Sequence, residues 1–128
     1  MNQGLVTILI VEDNPVNLDL LVQILEPKYE ILTAKDGQEG LDKALGERPK
    51  IVLLDLSLPI KSGWSVCEEL RETLGDEVMP IVALTAHIGR ANKDKALRTG
   101  FDDYLTKPID ENQLFETIDR LTLNSSTI

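Results

Sequence analysis

The stretch IVLLDLSLP, residues 51–59, decides the fold of this chain. Its first four residues are apolar without alternation and rich in β-branched side chains, a pattern typical of a strand buried on both faces of a parallel sheet. The same pattern recurs at residues 8–11 and 81–84. Two further stretches, residues 30–34 and 103–106, mix polar and apolar side chains, as strands near a sheet edge do. The sequence therefore predicts five strands.

The segments between these strands carry the start and stop signals of helices. Asn14 followed by Pro15 is an N-cap with proline at the first helical position. Capping-box spacing begins helices at Asp36 and at Asp110, and Gly100 stands where another helix ends. Strand and helix thus alternate five times, which predicts a doubly wound α/β domain with a parallel sheet covered on both faces. With the apolar strands inside, the strand order 2-1-3-4-5 of flavodoxin-like folds fits best.

Length and charge limit the function classes. A chain of 128 residues fits a single domain, with its core at about residues 7–121. The net charge of -9 disfavours direct nucleic-acid binding, and no apolar run approaches the ~20 residues of a membrane span. With one cysteine and no secretory start, the expected location is cytoplasmic.

Polar side chains follow the predicted strands at their carboxyl ends, where ligands bind in open parallel sheets. Five residues are placed in this way: Glu12, Asp13, Asp55, Thr85 and Lys107. Carboxylates brought together repel one another, and a hard cation such as Mg²⁺ relieves that repulsion because it prefers oxygen ligands. The sequence therefore predicts a cation site in one crevice.

The chemistry that uses this set is phosphoryl transfer to a carboxylate, which gives an acyl phosphate. Asp55 is the predicted nucleophile. The cation and Lys107 would neutralise charge on the transferring oxygens, while Thr85 would donate a hydrogen bond to them.

Several motifs, in order along the chain, resemble one known family: ILIVEDN at residues 8–14, LLDLSLP at 53–59, Ser62-Gly63, ALTA at 83–86 and DYLTKP at 103–108. Together they resemble the receiver domain of response regulators in two-component signalling. The resemblance covers nearly the whole chain and is closest to receivers of hybrid histidine kinases and of stand-alone phosphorelay proteins. Leu58 stands where the family usually has Met, a departure that touches no chemistry.

The resemblance implies roles for the metal-site residues. Asp55 matches the phosphoacceptor, Asp13 a direct metal ligand, and Glu12 a ligand that acts largely through water. The backbone carbonyl of Ser57 would complete the protein's share of a Mg²⁺ shell, with Mn²⁺ as a possible substitute.

The resemblance also implies a switch. Thr85 matches the hydroxyl that moves toward the phosphoryl group, Tyr104 the aromatic residue that turns inward with it, and Lys107 the cation that contacts phosphate. Lys107-Pro108 matches a cis peptide bond. His87, two residues after Thr85, matches a position that tunes access of water to the acyl phosphate.

Simpler interpretations exist for each residue taken alone. Glu12 and Asp13 could form a solvated loop end, Asp55 could cap a loop, and Thr85 could be an ordinary strand residue. Their joint occurrence at strand ends argues against these interpretations. For Tyr104, packing or a partner contact remains the main alternative. Two other residues outside the site, Cys67 and Trp64, are expected to serve packing.

Three functions are compatible with the pattern. The first is a signalling switch phosphorylated by a histidine kinase or a histidine phosphotransfer protein, because the chain has no ATP-binding loop of its own. It would then act on a downstream protein target through the surface of the fourth helix, fifth strand and fifth helix, as a monomer or weak dimer. An aspartyl-phosphate phosphatase is the enzymatic alternative, although Ser57 stands where that class carries a second acid. A degenerate receiver that only binds partners is the third, but it would be expected to lack an acidic residue or Lys107.

Overall fold

The computed structural model describes residues 5–75, 79–86 and 89–126. Strand and helix alternate throughout these residues. The strands are β1 (Thr7–Val11), β2 (Glu30–Ala34), β3 (Ile51–Asp55), β4 (Ile81–Thr85) and β5 (Asp103–Thr106). The helices are α1 (Pro15–Leu25), α2 (Gly37–Glu47), α3 (Gly63–Leu74), α4 (Arg90–Thr99) and α5 (Glu111–Ser126). His87 lies outside the described residues, so its expected role stays a prediction.

The five strands of the described chain form one sheet with the order β2-β1-β3-β4-β5, and every pairing is parallel. This confirms the predicted order. All residues of β3 and β4 are buried, whereas β2 and β5 at the edges are mostly half-buried. Continuous apolar runs therefore distinguished inner strands from edge strands correctly.

Two apolar layers cover the two faces of the sheet, because successive strand residues point to opposite faces. Leu9 and Leu54 pack with residues of α2, α3 and α4, while Ile10 and Leu53 pack with residues of α1 and α5. Each fully buried Leu or Ile contributes roughly 1.5–3 kcal/mol of transfer free energy. Cys67 of α3 is fully buried in the first layer, as expected.

The predicted caps begin the helices. Oδ1 of Asn14 accepts hydrogen bonds from the backbone N–H groups of Val16 and Asn17 at 2.9 and 3.0 Å. Oδ1 of Asp36 accepts one from Glu39 at 2.7 Å, and the Glu39 carboxylate accepts one from the N–H of Lys35 at 2.8 Å. These contacts satisfy N–H groups that a helix start otherwise leaves without partners. Elsewhere α5 runs to Ser126, beyond the expected end of the core near residue 121.

None of the helices among the described residues combines the length and the apolar character that crossing a membrane requires.

Candidate phosphoacceptor site

A cleft of about 440 Å³ lies at the carboxyl ends of the central strands. The predicted residues Glu12, Asp13, Asp55, Ser57 and Lys107 all line it. Each of these residues ends or closely follows β1, β3 or β5, so the parallel sheet brings them to the same edge. The cleft is completed by Ala86, a small residue where the resembled family needs room, and by three residues that the sequence had not assigned to the site, namely Asn14, Pro15 and Asn17. Their sequence signal was available, because each lies within five positions of a predicted site residue.

Three carboxylates converge in this cleft. Glu12, Asp13 and Asp55 each offer an oxygen, and these oxygens lie within 4.8 Å of one another. Glu12 and Asp55 are 1% and 4% exposed, whereas Asp13 is exposed. Carboxylates this close and this poorly hydrated need a counter-charge. The group can therefore hold a hard cation that takes oxygen ligands.

Asp55, the last residue of β3, is held through both carboxylate oxygens. Oδ1 accepts a hydrogen bond from the backbone N–H of Ser57 at 2.8 Å, and Oδ2 accepts one from Nζ of Lys107 at 2.6 Å. The contacts fix the orientation of the carboxylate at the base of the cleft. Ser57 itself is exposed at the rim.

Lys107 also pairs with Glu12, since its Nζ lies 2.8 Å from Oε1 of that residue. Oε2 of Glu12 accepts a hydrogen bond from the N–H of Asn14 at 3.1 Å. Among the described residues, Oε1 is buried and has no hydrogen bond of good geometry, so the ion pair alone balances it. The chain thus presents a buried carboxylate oxygen whose charge is balanced by Lys107.

The pKa values of Glu12 and Lys107 are both raised, for different reasons. Burial raises the pKa of Glu12 above its usual value, although Lys107 and the N–H of Asn14 partly oppose that effect. Burial would lower the pKa of Lys107, but the carboxylates of Asp55 and Glu12 outweigh it and raise that pKa. Lys107 therefore remains a cation at neutral pH.

Thr85 ends β4 beside the cleft and is 8% exposed. Its carbonyl accepts a hydrogen bond from the backbone N–H of Lys107 at 2.8 Å, and the Lys107-Pro108 peptide bond is cis, as the resemblance implied. The residue does not itself line the cleft, whereas the following Ala86 does. The backbone contact ties the end of β4 to the residue that reaches Asp55.

Tyr104 lies outside the cleft, on β5, where its Cα pairs with Ala83 of β4. The side chain is half-buried against the apolar layer on the side of α2, α3 and α4. Nζ of Lys93, on α4, lies 5.0 Å from the centre of the ring. Tyr104 is therefore placed between the sheet and α4, and not among the residues that would touch a phosphoryl group.

Trp64 has an aromatic neighbour that its sequence surroundings did not indicate. Its ring meets that of Phe101 edge to face, with centroids 5.7 Å apart, and Nζ of Lys95 lies 4.4 Å from the Trp64 ring. The packing role expected for Trp64 fits this geometry.

Comparison with known proteins agrees with this geometry. Residues 8–119 match the family model described as response regulator receiver domain. Protein PilH of Pseudomonas aeruginosa is 34% identical over 87% of this chain and 93% of that protein. The response regulator PleD of Caulobacter vibrioides is 38% identical over 90% of this chain, which spans only about a quarter (26%) of PleD's length.

Solved structures agree as well. The receiver domain of Ssk1 from Saccharomyces cerevisiae, solved with the histidine phosphotransfer protein Ypd1, gives a TM-score of 0.90 at 31% identity, over 97% of this chain and 93% of that one. The receiver domain of the sensor histidine kinase PA1611 from Pseudomonas aeruginosa, solved with magnesium in its active-site cleft, gives 0.84 at 33% identity, over 93% and 98%. The chain belongs to the response regulator receiver domain family, whose role in two-component signalling is that of a phosphoacceptor.

Proposed function

We propose that this protein is a phosphorylation switch in which Asp55 accepts a phosphoryl group from a phosphohistidine on a partner protein. An oxygen of the Asp55 carboxylate attacks phosphorus, the bond between phosphorus and the imidazole nitrogen breaks, and the imidazole leaves with the electron pair. The product is an acyl phosphate on Asp55 and a free histidine on the donor. Phosphoryl transfer to Asp55 is the whole of the proposed reaction. The protein would therefore be a signalling domain and not an enzyme that converts a small molecule.

One observation carries the proposal. Both carboxylate oxygens of Asp55 accept hydrogen bonds at the base of an open cleft, and one of the donors is the positively charged ammonium of Lys107. The contacts from Ser57 N–H and Lys107 Nζ leave little freedom to the carboxylate, which favours attack from a defined position. The Lys107 ammonium, in contact with Asp55, would neutralise negative charge that grows on the transferring oxygens.

The residues of the cleft fit a divalent cation, and we propose Mg²⁺, with Mn²⁺ as a substitute. Asp13 and Asp55 would be direct ligands together with the carbonyl of Ser57, and Glu12 would act through water. The burial of Glu12 and the closeness of the three carboxylates support this set. When bound, the cation would neutralise part of the charge on the phosphoryl oxygens.

The surface beside the cleft supports a protein as the phosphoryl donor. Val16 and Leu20 of α1 are 75% and 56% exposed and lie one helical turn apart. A mainly apolar hollow that includes Leu20 is lined by residues of α1, by Pro108 and Ile109, and at one end by Glu12 and Lys107 of the cleft. A small phosphate donor would fit in the cleft without contacting this surface. A histidine kinase or a histidine phosphotransfer protein would cover it. The Ssk1 receiver binds a partner of the second kind.

Phosphorylation would act on a downstream protein through Thr85 and Tyr104. The phosphoryl group would draw the Thr85 hydroxyl toward Asp55, and the Tyr104 ring would turn into the space beside β4. This would change the face formed by α4, β5 and α5. A cytoplasmic location and a monomeric or weakly dimeric state remain expectations.

Substitution of the acceptor tests the proposal. Asp55→Asn keeps the shape of the side chain but removes its nucleophilic charge, so acetyl phosphate with Mg²⁺ should leave it unlabelled. The wild type and the control Asp42→Asn, on the exposed face of α2, should each take up one phosphate and stop. Labelling of Asp55→Asn, labelling of the wild type in excess chelator, or steady release of phosphate from a phosphomonoester would each contradict the proposal.

A further inference from the structure

The loop between β3 and α3 contains a strained backbone position that carries an exposed apolar side chain. Ile60 has a φ of 73°, and the backbone N–H of Lys61 donates a hydrogen bond to the carbonyl of Pro59 at 2.7 Å. These are the features of a γ-turn with positive φ, a rare and strained conformation. A β-branched residue is an outlier there, because its side chain crowds the backbone.

Packing against α2 accounts for the turn itself. The carbonyl of Pro59 also accepts a hydrogen bond from the N–H of Gly37 at 3.2 Å. A Cβ at Gly37 would lie only 1.7 Å from the carbonyl oxygen of Lys61, so the loop and the start of α2 are in close backbone contact. The backbone of residues 59–61 is therefore held against the start of α2, whichever side chain stands at position 60.

Nothing in the described fold accounts for isoleucine at this position. Ile60 is 81% exposed, the highest exposure of any large apolar side chain in the described residues, and it belongs to neither apolar layer. Lys61, the next side chain, is paired with Glu69 of α3. Glycine or asparagine would adopt the same φ with less strain and without exposing apolar surface.

The position of the turn indicates what the side chain contacts. Ser57, three residues earlier, lines the cleft, so the Cα of Ile60 lies at most about 11 Å from that of Ser57. A small phosphoryl donor would occupy only the cleft. A donor protein that inserts a phosphohistidine must also bring surface over the residues around the cleft, and this turn follows Ser57 at its rim within that distance.

We propose that Ile60 is a specificity-determining residue that binds an apolar patch on the phosphohistidine-bearing partner. This inference rests on the proposed function and extends it by assigning one contact of the donor interface. Strain and exposure at a rim position are retained because the side chain stabilises the complex, and not the folded chain. On the free protein the contact is missing, so only partner-dependent steps should depend on it.

The test compares phosphorylation by a protein donor with phosphorylation by the small donor acetyl phosphate. The probe is whichever phosphorylated histidine kinase or phosphotransfer protein of the source organism labels the wild-type chain fastest. With Ile60→Asn, the second-order rate constant for transfer should fall about fivefold or more, the effect of losing about 1 kcal/mol from an interface anchor. The rate at saturating donor and the labelling rate with acetyl phosphate should be unchanged. The control is Leu97→Asn, which also replaces an exposed apolar side chain by an amide, near the end of α4. This variant should accept phosphate from the protein donor at the wild-type rate.

The stability of the variants distinguishes a partner contact by Ile60 from a role in folding. Ile60→Asn and Ile60→Gly should unfold at the same urea concentration as the wild type or at a higher one, because the strain is relieved. Equal transfer rates for wild type and Ile60→Asn would overturn the inference while leaving the proposed function intact, as would a loss of stability in both variants. Failure of every donor to label the wild type would overturn the proposed function and this inference with it.

Discussion

Lys107 reaches Asp55 across an intervening strand. Its Nζ lies 2.6 Å from Oδ2 of Asp55, although β4 separates β3 from β5 in the sheet. The same ammonium contacts Glu12 at the end of β1. One lysine thus balances two carboxylates that would otherwise repel each other.

Removing this ammonium should strengthen cation binding. Lys107 and a divalent cation neutralise the same carboxylates, so Lys107→Met should bind Mg²⁺ with a Kd lower by roughly five- to thirtyfold, or about 1–2 kcal/mol. The free energy of unfolding in chelator should fall, because the two carboxylates lose their counter-charge. Calorimetric titration and urea unfolding measure the two effects. The control is Lys50→Met, just before β3 at the opposite end of the sheet. Weaker Mg²⁺ binding in Lys107→Met would contradict the assignment of the site.

The proposed role of Thr85 concerns signal output and not phosphorylation. Thr85→Ala should still accept phosphate on Asp55, more slowly, but should lose much of the phosphorylation-dependent change in affinity for the downstream partner. That coupling is typically about 1–3 kcal/mol, or five- to 150-fold in affinity. The measurement is partner affinity with and without beryllofluoride, a mimic of the phosphoryl group. An unchanged ratio of affinities in the variant would rule out this relay.

Lys93 should hold Tyr104 in its half-exposed position. Its ammonium lies over the ring, and such contacts contribute about 0.5–1 kcal/mol at exposed sites. If the ring leaves this contact when it turns inward, Lys93→Gln should raise the partner affinity of the unphosphorylated protein by about two- to fivefold. Lys95→Gln is a matched control, since it removes the same charge from α4 but contacts Trp64 instead. Equal effects of the two variants would indicate net charge, and not the Tyr104 contact, as the cause.

Arg71 of α3 should be a main determinant of stability near β4. Its guanidinium donates hydrogen bonds to the carbonyls of Gly100 and Met79 at 2.9 and 2.8 Å and pairs with Asp102 at 2.8 Å. Arg71→Met should lower the free energy of unfolding by roughly 3 kcal/mol, the lower end for a broken buried pair, because the Asp102 side chain is 37% exposed. Urea unfolding should show a much smaller loss for the exposed Arg98→Met.

Cys67 should be unreactive in the folded protein. Burial raises the pKa of its thiol from an ordinary 9.0 to about 12. Because the unfolded chain ionises first, the stability that this thiol contributes is fully present below pH 9 and is lost as the pH rises toward 12. At pH 8 a disulfide reagent should label the native protein far more slowly than the protein in denaturant. Rapid labelling without denaturant would contradict the burial of the thiol.

Much of the architecture could be predicted from the sequence because it depends on local patterns. Apolar runs distinguished the buried strands, and caps such as Asn14 and Asp36 located helix starts, since a side-chain oxygen near the first N–H groups is a short-range requirement. The parallel topology then placed Glu12 and Asp55 at one edge. That these site residues lie close together followed from the order of polar residues at strand ends. Their catalytic and switch roles stay predictions.

Tertiary structure alone decided the contacts between distant elements. The distance from Lys107 to Asp55, the ring of Phe101 beside Trp64, and the ammonium of Lys93 over Tyr104 join residues that no local pattern relates. Each depends on how helices pack on a twisted sheet, which fixes the relative positions of side chains only after both apolar faces are covered. The positive φ of Ile60 has the same origin, because close packing of its loop on α2, and not the preference of isoleucine, sets the backbone there.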